Sequence, residues 1–186
     1  MEKETKIWLC GAQGTGKTTV LNLFKEAGFP VITEVVRKLV REKGITINQD
    51  GTDDTQRMVF QVYKDTFEQG GKYLSDRGLI DVLAYSCEGF NDKKVSMDVL
   101  NEQYAALAKY IRNNPDLHIV YFPIEFAVVP DGVRSVDESY RYRIDEHVKS
   151  ILDKLSCEIG IEYLTITGSP EERARQICEY IDLDLF

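Results

Sequence analysis

Gly11-Ala12-Gln13-Gly14-Thr15-Gly16-Lys17-Thr18 fills every fixed position of the spacing G-x-x-x-x-G-K-[ST]. Three glycines let the backbone turn tightly, so that successive N–H groups converge on one concave space. The helix N-terminus that follows adds partial positive charge to it. The oxygens of a triphosphate fit such a space, with Lys17 reaching the β- and γ-phosphates. The Thr18 hydroxyl, with Thr19 beside it, is placed to ligate Mg²⁺. The context suits the motif: the apolar run Ile7-Trp8-Leu9-Cys10 precedes it, and Val20, Phe24 and Ala27 recur at helical spacing after it.

The elements that must position further chemistry follow from the rest of the chain. Val31-Ile32-Thr33, Lys72 to Ser75, Leu117 to Phe122 and Gly160 to Ile166 read as four more strands. Helices are expected from Val35, from the caps around Thr52 to Gln56, from Asp81 to Ser86 (a short one before a loop at Gly89), and from Ser96. A long helix starts at the box Ser135-Val136-Asp137-Glu138, and a last one at Ser169-Pro170. Five strands alternating with helices imply an α/β fold: a three-layer P-loop NTPase domain with a mostly parallel sheet, one domain over residues 1–186. In such sheets ligands bind beyond the carboxyl ends of the strands.

The strand ends therefore carry the remaining candidates. Glu34 ends the second strand; it either caps the next helix or faces an acceptor, binding its hydroxyls and accepting a proton. Arg37, one turn on, suits an acceptor anion or sugar. Asp76 ends the third strand, where it can hold Mg²⁺ or orient a nucleophile. Arg77 can neutralise a phosphate or hold substrate, and Asp81 on the next helix can touch substrate. Arg134 and Arg141 share a helical face, with Arg143 nearby; a loop and an arginine-bearing helix over about 125–147 suit a lid that excludes water. The alternative is an exposed charged face.

Composition bounds the partners. The 186 residues carry a net charge of −8, which disfavours a long polyanion such as nucleic acid and favours a small-molecule phosphate acceptor. No apolar run approaches membrane-spanning length and the N-terminus lacks an apolar leader segment, so the expectation is a cytoplasmic protein with no membrane partner. Cys10, Cys87, Cys157 and Cys178 form no C-x-x-C pair and read as reduced thiols. A homo-oligomer is left open by the sequence.

With these residues in place, the chain resembles small P-loop kinases grouped with nicotinamide riboside kinase domains, an ATPase-like (AAA-type) set found in bacteria and phages. The resemblance extends more distantly to thymidylate and deoxynucleoside kinases. It rests on Gly11 to Thr18, Thr33-Glu34 with Arg37, Ser75 to Asp81 with Ala84-Tyr85, Pro130 to Arg134 with Arg141, and Thr165 to Arg173. It implies ATP·Mg²⁺-dependent transfer of a γ-phosphate to a small nucleoside or nucleotide, a helical lid with arginines, and an adenine loop at Gly168-Ser169-Pro170. Lys17, Asp76, Glu34, Arg134 and Arg141 would then serve catalysis. Thr18 and Asp76 would serve the metal, and Glu34, Arg37, Arg77 and Asp81 the acceptor. Rival readings are a kinase for a nucleic-acid end or modified base, and a nucleotide-binding regulatory ATPase. A GTPase-like switch is opposed by the lack of [NT]-K-x-D and D-x-x-G motifs.

Overall fold

The computed structural model of the chain describes residues 4–43, 51–125 and 138–185. In chain order its elements are β1 (Lys6–Cys10), α1 (Lys17–Glu26), β2 (Val31–Ile32), α2 (Val35–Lys43), α3 (Asp53–Glu68) and β3 (Tyr73–Ser75). There follow α4 (Leu79–Asn91), α5 (Met97–Arg112), β4 (Leu117–Tyr121), α6 (Glu138–Ile159), β5 (Leu164–Thr165) and α7 (Pro170–Tyr180). The strands form one sheet in the order β2-β3-β1-β4-β5, and every pairing is parallel. The expected α/β architecture with a five-stranded parallel sheet is what the chain adopts.

The two-residue period of a strand sorts β1 onto both faces of the sheet. Ile7 and Leu9 join Leu74, Val120 and Phe122 under α1 and α7, with Val20, Phe24, Ala174 and Ile177 filling the layer. Trp8 and Cys10 point the other way, into the larger core built by α3, α4, α5 and α6. There the Trp8 ring lies 5.0 Å from Phe67 and 5.4 Å from Tyr110, and Phe67 stacks on Tyr73 at 5.5 Å. A central strand walled on both sides in this way has little freedom to shift, and the loop that follows it starts from a fixed point.

Two elements depart from the sequence expectation. The helix expected over Asp81 to Ser86 runs instead from Leu79 to Asn91, through Gly89. A Cβ at Gly89 would sit 2.6 Å from the Val95 side chain, so the glycine is a packing requirement inside the helix rather than its stop. The fifth strand is reduced to Leu164–Thr165, because it pairs only at Val120 and Tyr121 on the sheet edge. The expected long helix is described from Glu138, as a single helix to Ile159. Its predicted start at Ser135 and most of the segment expected as a lid, including Pro130 to Arg134, lie outside the described residues. Within the described part, α6 is held on α4 by the buried Glu88, which accepts hydrogen bonds from Arg143 and engages His147 Nε2 at 3.1 Å.

Among the described residues no helix is long and apolar enough to cross a membrane.

The junction between β3 and α4 gives a direct check of this packing. A Cβ at Gly78 would lie 2.7 Å from the fully buried Trp8 ring. Gly78→Ala is expected to overpack this junction and lower stability by about 1–3 kcal/mol. The urea midpoint should fall with the slope of the transition unchanged.

Candidate functional site

The phosphate loop bridges the carboxyl end of β1 and the first turn of α1. Gly11, Gly14 and Gly16 all have positive φ (143°, 71° and 93°), a path that L side chains rarely follow. A Cβ at Gly11 would also meet the Phe122 carbonyl oxygen at 2.4 Å. The loop is thus wedged against the tip of β4 as well as hung from β1.

Its carbonyls are held by cations. Lys17 Nζ donates to Gly11 O at 2.6 Å and to Ala12 O at 2.7 Å. Arg141, on α6 and only 1% exposed, donates through Nε to Gln13 O at 2.9 Å and through Nη2 to Gly14 O at 3.2 Å. Arg173, on α7 and 2% exposed, donates through Nη1 to Thr15 O at 2.6 Å. Every loop carbonyl from Gly11 to Thr15 therefore accepts from a lysine or arginine. The next carbonyl, Gly16 O, begins the α1 ladder by accepting from Val20 N at 3.2 Å. In a planar trans peptide the N–H points opposite to the C=O. With the carbonyls of Gln13, Gly14 and Thr15 drawn toward the arginines, the amides of Gly14, Thr15 and Gly16 are turned to the other side. The Thr15 hydroxyl donates back to Ala12 O at 3.0 Å, and Thr18 is exposed in the first turn of α1.

Asp81, buried to 1% exposure, closes the other side of the loop. Its Oδ1 accepts from Gly11 N at 2.9 Å and its Oδ2 from Gly78 N at 2.8 Å. The sequence reading sent this carboxylate toward substrate; here both oxygens are engaged by backbone, tying the start of the loop to the tip of β3. Asp76 sits at that tip, where Thr33 Oγ1 donates to its Oδ2 at 3.4 Å. Burial pushes the Asp76 carboxyl above the usual carboxylate range, against the opposing pull of Arg77 and Lys17. Arg77 lies over the Tyr85 ring at 5.1 Å, and Tyr85 pairs with Tyr140 at 6.4 Å. Tyr140 and Ile144 of α6 pack with Ala12.

The other candidates separate into distinct groups. Glu34 and Arg37 are exposed and paired with each other at 2.8 Å, with Arg41 at 3.8 Å from Glu34. Glu34 holds a left-handed backbone, φ 58°, at the head of α2. Arg141, expected over the phosphates as a lid arginine, has its fork on the loop carbonyls. Gly168, Ser169 and Pro170 lead into α7, where Ser169 and Glu172 form the predicted capping box. Arg134 lies outside the described residues. Sequence reasoning missed Arg173 and Glu125. A signal for Arg173 was present: it stands four residues before Ile177 and eight before Ile181, a cation in an otherwise apolar helical stripe. Glu125 carried none.

Comparison with known proteins agrees with this fold. A family described as AAA domain matches residues 6–173. Among solved structures, NadR protein in complex with NAD and AMP-PNP superposes with a TM-score of 0.71 at 14% identity, over 99% of this chain and 51% of that one. This chain thus spans about half the length of the NadR chain it matches. Deoxyadenosine kinase from M. mycoides with bound dATP gives 0.66 at 13% identity, over 96% and 99%. Shikimate kinase from Acinetobacter baumannii with shikimate gives 0.52 at 18% identity, over 97% and 94%. The fold is that of P-loop kinases. A search of curated proteins finds no match.

The burial of Lys17 has a measurable consequence. Loss of hydration pushes its ammonium down to about 8, with Asp81 opposing the shift and Arg77 reinforcing it. Between pH 8 and its ordinary value of 10.5 the unfolded chain holds a proton here that the folded chain does not, so folding gains stability as pH rises through that window. A polyphosphate beside Lys17 favours the charged form. Binding at pH 9 is therefore expected to take up about one proton, and affinity to fall about tenfold between pH 7 and pH 9. Calorimetry in buffers of different ionisation enthalpy reads the uptake, and Lys17→Met should abolish it.

Proposed function

We propose that this chain, which belongs to the AAA domain family, is a kinase that moves the γ-phosphate of ATP to a hydroxyl of a small nucleoside or nucleotide. One observation carries the reading: a glycine loop whose carbonyls from Gly11 to Thr15 are held by cations, with the Asp76 carboxyl at the adjoining strand tip within electrostatic reach of Lys17. The P-loop kinase fold supports it, and so does the fact that the similar structures are kinases or carry nucleotides.

In this reading the amides turned inward by the loop receive the β- and γ-phosphates, and Lys17 leaves its carbonyl partners to share their charge. The acceptor oxygen attacks the γ-phosphorus in line, the bond to the β-bridging oxygen breaks, and ADP departs. Asp76, its basicity raised by burial, orients the attacking hydroxyl and takes its proton. Glu34 binds acceptor hydroxyls, and Arg77, set against Tyr85, faces the same side with Arg37 further out. The loop Gly168-Ser169-Pro170 borders the base. Catalysis is then positioning and charge stabilisation, with no covalent intermediate on the protein.

The donor set fits Mg²⁺. Thr18 offers an exposed hydroxyl in the first turn of α1, and Asp76 a carboxylate across the loop. Magnesium is bound by one or two such oxygens together with substrate phosphates and water. When bound, it would supply charge neutralisation to the polyphosphate.

ADP release from ATP·Mg²⁺ should respond to a nucleoside or nucleotide when nucleosides, monophosphates, nicotinamide riboside, shikimate and short DNA are compared. ATP binding without acceptor-dependent ADP release would instead indicate a regulatory nucleotide binder. Lys17→Ala and Asp76→Ala should each lower turnover at least about 100-fold with the circular dichroism spectrum retained. A folded Asp76→Ala variant of normal rate removes Asp76 from the mechanism.

Glu34 allows stability and activity to be read apart. A glutamate at φ 58° stores about 1 kcal/mol of backbone strain, and such strain persists where a side chain is needed at that place. Glu34→Gly should leave the unfolding midpoint unchanged or raise it while lowering kcat/KM for the acceptor at least about tenfold. Unaltered acceptor kinetics would make Glu34 only the head of α2.

A further inference from the structure

Arg173 is a buried and heavily committed side chain outside the residues assigned to the reaction. Besides Thr15 O, it donates through Nε to Gly168 O at 2.9 Å and through Nη2 to Glu125. Glu125 in turn accepts from Gly168 N at 3.3 Å. The guanidinium lies 5.4 Å from the Phe122 ring, which lines the sheet at the tip of β4. Four separate pieces of chain thus meet at one buried cation: the phosphate loop, the end of β4, the loop before α7, and α7 itself. Arg173 and its carboxylate partner bond both the N–H and the C=O of Gly168, which fixes the orientation of that residue.

We propose that Arg173, with Glu125, is a positioning residue that holds the phosphate loop and the Gly168–Pro170 loop in register as one nucleotide-binding unit. The inference rests on the ATP reading above and adds to it that the two ends of the nucleotide are sensed through a single side chain. On that reading a nucleoside triphosphate spans both loops, whereas inorganic tripolyphosphate engages only one. If the register is fixed beforehand, the base and the phosphates bind without either loop having to be ordered first, and ATP binds more tightly than its phosphate chain alone. If Arg173 is shortened to a single ammonium, it can no longer reach Thr15 O, Gly168 O and Glu125 together. Each loop then relaxes separately, and the advantage of carrying a base on the phosphate chain falls.

The test compares dissociation constants of ATP and inorganic tripolyphosphate for the wild-type chain, Arg173→Lys and Glu125→Gln, with thermal unfolding measured in parallel. Arg173→Lys is expected to reduce the ATP-over-tripolyphosphate ratio at least about tenfold, and to raise KM for ATP by more than it lowers kcat. Glu125→Gln keeps the arginine and its carbonyl contacts, and should shift the ratio in the same direction by a smaller factor. Equal weakening of both ligands, or of neither, in variants that remain folded overturns the coupling and leaves Arg173 a structural brace. A wild-type chain that binds neither ligand overturns the ATP reading and the coupling together. One that binds ATP with a ratio insensitive to both substitutions overturns the coupling alone.

Discussion

A phosphate loop works only if its peptide groups face one way, and a run of peptides with nothing on their other side has no reason to do so. Here Arg141 and Arg173 stand on that other side and take the carbonyls of Gln13, Gly14 and Thr15, while Lys17 takes those of Gly11 and Ala12. Peptide planarity converts that grip on the oxygens into a grip on the amides. Hydrogen bonds from charged donors are roughly twice as strong as neutral ones, and in a buried setting they are not competed away by water. The glycines make the path accessible, and the cations select it.

The rest of the fold brings those cations and their counter-charges to one place. β1 is pinned on both faces, so Gly11 emerges at a fixed height above the sheet. Asp81 then joins Gly11 N to Gly78 N, which sets the tip of β3, and with it Asp76, against the loop. α6 and α7 approach from opposite layers and each delivers one arginine. The chain as a whole is acidic, at −8, yet Lys17, Arg141 and Arg173 converge on this one loop.

Much of this was legible in the sequence, for physical reasons particular to each part. The phosphate loop has a fixed spacing because its backbone path does, and the strand–turn–helix around it follows from the continuous apolar run at Ile7 to Cys10 and the 3.6-residue periodicity at Val20 to Ala27. The parallel sheet followed from alternation of strand and helix. What stayed hidden depended on tertiary proximity. Asp81 read as a residue facing substrate because nothing in the local pattern says that two backbone N–H groups await its carboxylate. Gly89 read as a helix stop because the Val95 side chain that occupies its missing Cβ comes from the next loop. Arg141 read as a lid residue because the sequence shows a cation on a helix but not which side of the phosphate loop it meets. Arg173 could have been found from its apolar stripe, since a charged residue in line with Ile177 and Ile181 must be buried and therefore partnered.

The burial of two arginines bears on why the loop is built this way. Removing a guanidinium from water costs several kcal/mol, and a well-packed apolar side chain at the same place often leaves a protein as stable or more so. Arg141 and Arg173 are therefore poor choices if stability alone is at issue. Apolar replacements, however, would leave the carbonyls of Gln13, Gly14 and Thr15 without charged donors, and those peptides could rotate to seek other partners. A guanidinium offers donors fixed in a planar fork, so it dictates direction as well as distance: Arg141 spans two successive carbonyls, and Arg173 reaches two loops and a carboxylate at once. A lysine could supply the charge but not the angles. The two arginines hold a glycine turn in one conformation out of several, at some expense of stability, and on the kinase reading that conformation is the one a phosphate chain requires.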